Sequence, residues 1–252
     1  MTEDYTEIKQ VASQDTLDSE MMESADSLRV MIDLRNSIQK TRIATNNRIK
    51  AHRKTSEEDG VDDGYYIKTL DGFLEQFLDI ESNLDLNIRM VSERYEIVER
   101  MSDIKGVGQL LAAQVVCMID IRRADTVSAL WRYAGYAVMD GEREKLTKGE
   151  KAHYNTRLKS ICYKVSNSML RCGSPYTKIY YDAKAYYEAN RTDWTKLHIH
   201  NASIRKMTKL WLSHLWEVWR KLEGLEVREL YVMEKLGHKH LIKPSEYGWR
   251  EI

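Results

Sequence analysis

The chain has 252 residues, 31% of them charged and 42% hydrophobic, with formally balanced charge. That composition excludes a disordered polymer, a membrane-spanning bundle and a disulfide-stapled miniprotein, and leaves room for one or two domains with a packed core. Helix formers dominate, only Pro175 and Pro244 interrupt them, and no run alternates with period two. An all-α fold is expected: a long antiparallel coiled-coil hairpin, then a helical domain.

Residues 1–24 read as an acidic, flexible arm. Glu3, Asp4, Glu7, Asp15, Asp18, Glu20, Glu23 and Asp26 face only Lys9 before the sign reverses at Arg29, Arg35, Lys40, Arg42, Arg48, Lys50, Arg53 and Lys54. Such an arm either competes for the polyanionic partner of the basic helix or is a solvated tail. Residues 25–100 read as the hairpin. Its first helix starts near Ser24, and the polar loop "TSEEDGVDDG" turns the chain. In the second helix Leu70, Phe73, Phe77, Ile80, Leu84, Val91 and Val98 recur in steps of three and four, if Asn87 and Arg94 are admitted to the seam. A heptad seam of that kind predicts pairing of two copies, hence a homodimer.

Residues 101–252 form the second region. "IKGVGQLLAAQVVCMIDI" (104–121) is a glycine turn opening into an apolar helix. Asp125 or Thr126 is expected to cap a short helix that ends at Gly135. Residues 139–155 read as a flexible basic loop, 159–171 as a helix broken by "CGSP", 176–190 as a tyrosine-laden helix, and 201–223 as a helix with Met207, Trp211, Leu215, Val218 and Leu222 on one face. "GHKHLIKPSEYGW" closes the chain in irregular structure.

Several segments could carry chemistry. Gly106 and Gly108 leave the first amides of the following helix pointing forward, a favourable place for phosphate, and Lys105 adds charge. The alternative is that the glycines only let helices pack closely. Arg122, Arg123, Arg132, Arg143, Lys145, Lys148, Lys151, Arg157, Lys159 and Lys164 gather around the basic loop, with His153, Tyr154 and Asn155 able to stack on or bond to exposed bases. Arg205, Lys206 and Lys209 make a second basic stripe. Tyr176, Tyr180 and Tyr187, at helical spacing, suit packing better than base stacking. His198-x-His200 and His238-x-His240 lack cysteines or carboxylates at ligand spacing, so neither a metal nor a cofactor is expected. Three cysteines without a CxxC pair, the absence of a signal peptide and an apolar stretch too short for a bilayer point to the cytoplasm and to no membrane partner.

"KGVGQLLAAQVVCMIDIRRADTVSALWRYAG" resembles the C-terminal domain of the bridge-RNA-guided insertion-sequence transposases, and "LRVMIDLRNSIQKTRIATNNRIKAHRK" is similar to their coiled coil. The same order of parts resembles the Nop domain of small nucleolar RNA particles, with Gly108, Ala112, Ala113, Ser128 and Gly135 at matching positions, and the phage Tas proteins of tandem interspaced guide RNA systems. These resemblances imply a structured guide RNA and a target DNA as partners. Two departures stand out. Only about 25 residues precede the hairpin, too few for the transposases' nuclease-like sheet. Between Gly135 and Ala152 there is no serine to match their nucleophile, only the hydroxyls of Tyr136 and Thr147. The expectation is therefore a guide-RNA-binding scaffold and not an enzyme, with any cleavage supplied by a separate nuclease. Its rival is a shortened transposase or recombinase relative that acts on DNA with a catalytic partner.

Overall fold

The computed structural model describes residues 3–59, 64–139, 142–143, 148–228 and 242–251, with side-chain detail from Asp26 onward and excluding Met139 and Glu142. The chain divides into two units, Met1–Arg94 and Tyr95–Ile252. The all-α expectation is borne out. The strands among the described residues are a single two-residue pair, β1 (Val138–Met139) and β2 (Glu142–Arg143), with Val138 opposite Arg143.

The first unit is a helical hairpin of α1 (Glu3–Asp59) and α2 (Gly64–Ser92). No glycine or proline occurs before Gly60, so nothing breaks α1, and it begins at Glu3 where the sequence reading placed its start near Ser24. The seam between the helices follows two lines of sevenfold spacing. Leu28, Arg35, Arg42 and Ile49 lie along α1, and Ile67, Leu74, Glu81 and Ile88 along α2. The apolar ends are buried, while the middle is ionic. Glu81, only 6% exposed, takes a two-pronged bond from Arg42 (Nε–Oε1 2.6 Å, Nη2–Oε2 3.4 Å), and Arg35 grips Asp85 in the same way (2.9 and 3.4 Å). Arg53 and Asp71, 2.8 Å apart, pin the end near the turn.

This corrects the predicted seam. Leu70, Phe77, Leu84 and Val91 form its half-buried shoulder, but Phe73 and Ile80 are 47% and 42% exposed, and Asn87 and Arg94 are exposed too. The helix also ends at Ser92, so Val98 belongs to the second unit, where it is buried.

Among the described residues the second unit carries six α-helices: α3 (Glu96–Ser102), α4 (Gln109–Val116), α5 (Val127–Tyr133), α6 (Thr156–Cys172), α7 (Thr177–Asn190) and α8 (Lys196–Leu222). α8 is the central member and touches α3, α5, α6 and α7. Ile204, Met207, Trp211, Leu215 and Val218 are buried along it, each contributing about 1.5–3 kcal/mol relative to exposure. It starts at Lys196, five residues earlier than expected, because the Thr195 hydroxyl accepts the His198 amide at 3.2 Å. A 3-10 turn at Pro244–Tyr247 brings Tyr247 and Trp249 into the core.

Candidate nucleic-acid interface

The glycine turn between α3 and α4 shows why both glycines are there. Gly106 has φ of 94°, and a Cβ on it would lie 2.8–2.9 Å from the backbone of Ser168 and Met169 in α6. It is a close-packing glycine, as the structural alternative required. Gly108 is different. It is the N-cap of α4, exposed, and a Cβ there would meet nothing within 4 Å. Gly108 itself offers α4 no side-chain cap, Lys105 is exposed beside it, and Ile104 and Val107 anchor the turn in the core.

Pressed against that turn, α6 is amphipathic in an unusual way. Leu158, Ile161, Cys162, Val165 and Met169 are buried. On the other face Arg157, Lys164 and Arg171 are exposed at sevenfold spacing, about 10 Å apart along the axis, and no acid occurs between Thr156 and Cys172. On α7, in contrast, Lys178 and Lys184 are neutralised in place by Asp182 and Glu188. Lys164 belongs to the basic cluster read from the sequence, and Arg171 fell outside it. The signal that finds Arg171 is the missing acids, and it needs the buried face to be known first.

Among the expected site residues, Arg132, Arg143, Lys148, Lys151, His153 and Lys206 are exposed, and Lys145 lies outside the described residues. Asn155 is committed to structure: its Oδ1 accepts the Leu158 amide and caps α6, and its Nδ2 donates to Tyr133 Oη at 2.9 Å. The Lys159 ammonium sits 4.1 Å from the centre of the Tyr154 ring.

The second basic stripe needs correction. Arg205 donates to the carbonyls of Tyr136 and Ala137 at 2.7 Å each, and Lys209 holds its ammonium 3.9 Å over Trp131. Burial, helped by nearby Arg205, pulls the Lys209 pKa down. Only Lys206 of the three keeps an exposed charge. Arg122 and Arg123 are both exposed, and Arg122 is paired with Glu223 at 3.6 Å.

Reasoning from sequence missed Arg220. It is 6% exposed, and its Nη1 donates to the carbonyls of Ala124 (3.1 Å) and Ile121 (3.3 Å), joined by Trp216 Nε1 to Ala124 at 2.6 Å. Together with Arg205, it lets α8 clamp both turns flanking α5. Tyr176 and Tyr180 are buried, as the packing reading required, and Tyr187 lies against Trp194. His198 stacks on Trp194 and His200 bonds to Tyr180, while His238 and His240 lie outside the described residues. Among the described residues no helix is long and apolar enough to cross a membrane.

These parts coincide with a family match. Residues 98–182, from α3 into α7, match the family model described as Transposase IS116/IS110/IS902 family. The transposase resemblance read from the glycine turn is thus borne out over that region, with the hairpin and α8 outside it. No curated protein and no solved structure matches the chain.

Proposed function

We propose that the chain is a transposase-related, guide-RNA-binding scaffold. It holds a structured RNA, the RNA selects a target DNA by base pairing, and the protein supplies backbone contacts. Strand cleavage, where it occurs, falls to a separate nuclease. Two copies pair through α2. The observation that carries this reading is the acid-free exposed face of α6, a helix that packs through Ser168 and Met169 on the glycine turn following exposed Lys105. A polyanion backbone is the ligand such a face favours. Exposed Arg132, Lys148, Lys151 and His153 would add contacts to the same polyanion.

The test is to sequence the nucleic acid that remains bound after purification at low salt. RNA of uniform length and sequence is the expected result. Nucleic-acid-free protein that binds duplex DNA, with no preference for any RNA, would overturn it.

The family match favours a second reading, a DNA-binding transposase relative that works with a catalytic partner. Sequence-specific binding to duplex ends without RNA would select that reading.

A further inference from the structure

Beside α5 lies a cleft of about 290 Å³, at the lower edge of the range for small-molecule sites of roughly 300–1,000 Å³. Ile119, Ala129 and Leu130 give it apolar walls, and Asp120, Arg123 and Tyr133 line it with polar groups.

Three features show that these groups are held ready. Tyr133 is 44% exposed, yet its hydroxyl donates to the Met118 carbonyl (3.0 Å) and accepts from Asn155 Nδ2 (2.9 Å), so the ring is fixed from its far end. Asp120 and Arg123 belong to the turn that Arg220 and Trp216 clamp from behind through the Ile121 and Ala124 carbonyls. One oxygen of Asp120 accepts the Arg122 amide at 3.1 Å, leaving the second for a ligand. Arg122 turns to Glu223, while among the described residues no acid pairs with Arg123. An aromatic face, a guanidinium and a carboxylate thus share one rigid, water-open cleft.

We infer that this cleft takes an unstacked guanine base from single-stranded RNA, stacked on Tyr133, with Arg123 donating to O6 and N7 and Asp120 accepting from N1–H and the N2 amino group. Guanine alone among the four bases offers both a pair of adjacent acceptors and a pair of adjacent donors, so it alone satisfies both residues. The base must be free of pairing and stacking, as in a loop or bulge. Asn155, which holds Tyr133, also caps α6, so the cleft adjoins the start of the cationic face. A strand lying along Arg157 would turn one base inward there. The inference deepens the RNA-binding reading and rests on it.

The experiment uses the full chain and nine-nucleotide oligouridine carrying G, A, C or U at its centre, read by fluorescence anisotropy. The guanine oligomer is expected to bind about tenfold tighter than the others, one bidentate contact's worth. Asp120→Asn keeps an oxygen for the Arg122 amide, so the turn survives, but it sets an amino group against guanine's donors. It should abolish the preference and leave binding of plain oligouridine within about twofold. Ala129→Leu, which fills the cleft from an exposed position, should do the same. Matching deoxyoligomers distinguish RNA from DNA as the source of the base.

Equal binding of all four centres, or a preference that survives both variants, overturns the cleft and leaves the scaffold standing. Titration with guanosine and adenosine monophosphates, followed by chemical shifts of the tyrosine rings, separates the opposite case. Guanosine-selective shifts with no binding of any oligomer keep the cleft and remove the scaffold; no response in either assay removes both.

Discussion

His214 sits where a charge cannot be accommodated. Its Nδ1 accepts from the Tyr176 hydroxyl at 2.6 Å, its Nε2 donates to the Ile242 carbonyl at 3.0 Å, and Tyr176 in turn accepts from Trp249 Nε1 at 2.8 Å. Burial keeps Tyr176 protonated, well above the usual phenol range, so the direction of the chain is fixed: indole to phenol to imidazole to carbonyl. Burial also depresses the His214 pKa to about 4. In the unfolded chain the imidazole titrates near 6.5. The contribution is therefore complete above pH 6.5 and is lost as the pH falls through about 4, by about 3 kcal/mol in total. Thermal melts should show the midpoint falling across that window. His214→Gln should be less stable at neutral pH and show a much shallower fall, while an unchanged slope would mean that the network does not control acid stability.

At the scale of elements, the hairpin seam explains what the sequence disclosed and what it concealed. The apolar stripe of α2 was legible because Phe73, Phe77, Ile80 and Leu84 are all large and regularly spaced. The line that actually faces α1 contains Glu81, a residue that pattern reading assigns to solvent, and its partners Arg35 and Arg42 read as an exposed basic face. Only the crossing of two helices reveals that Glu81 and Asp85 neutralise the two arginines in the seam. Caps were easier, because they are local: Thr126 does accept the Ala129 amide, as its position before an apolar run suggested. The same contrast holds in the second unit, where Gly106 and Gly108 looked equivalent until α6 was seen against only one of them. The seam makes a prediction. Glu81→Ala leaves Arg35 and Arg42 without their shared carboxylate and should cost about 2 kcal/mol in urea unfolding, below the value for a fully buried pair because Arg42 reaches water. Glu81→Leu should recover most of that loss but relax the register, detectable as a broader set of cysteine cross-links between α1 and α2. Equal stability of the Glu81→Ala variant and the wild-type chain would show that the ionic centre contributes nothing.

At the scale of the whole molecule, two surfaces among the described residues suit the proposed partners, and they are chemically opposite. On α2, exposed Phe73 and Ile80 continue into half-buried Leu70, Phe77 and Leu84, an apolar strip that α1 covers only in part. A second copy covering it would account for the strip. Phe73→Asp together with Ile80→Asp changes only exposed positions, so helicity should persist while light scattering shows a monomer. A dimer that survives would place pairing elsewhere. On α6 the proposed ligand is a polyanion, and the signature expected of it is salt dependence. Lys164→Ala with Arg171→Ala removes two cations whose neighbours include no acid on that helix, so nothing is left unpaired and the fold should hold. Each lost phosphate contact makes the slope of log affinity against log salt shallower by about 0.7 for a single strand and 0.9 for a duplex. The double variant should therefore bind RNA with a slope reduced by about 1.4–1.8 and lose affinity equally for every sequence. Lys206→Ala, on the α8 stripe whose other members are engaged internally, should move the slope little. If the two variants change it equally, charge is acting at a distance across the surface and α6 is not the face that carries the strand.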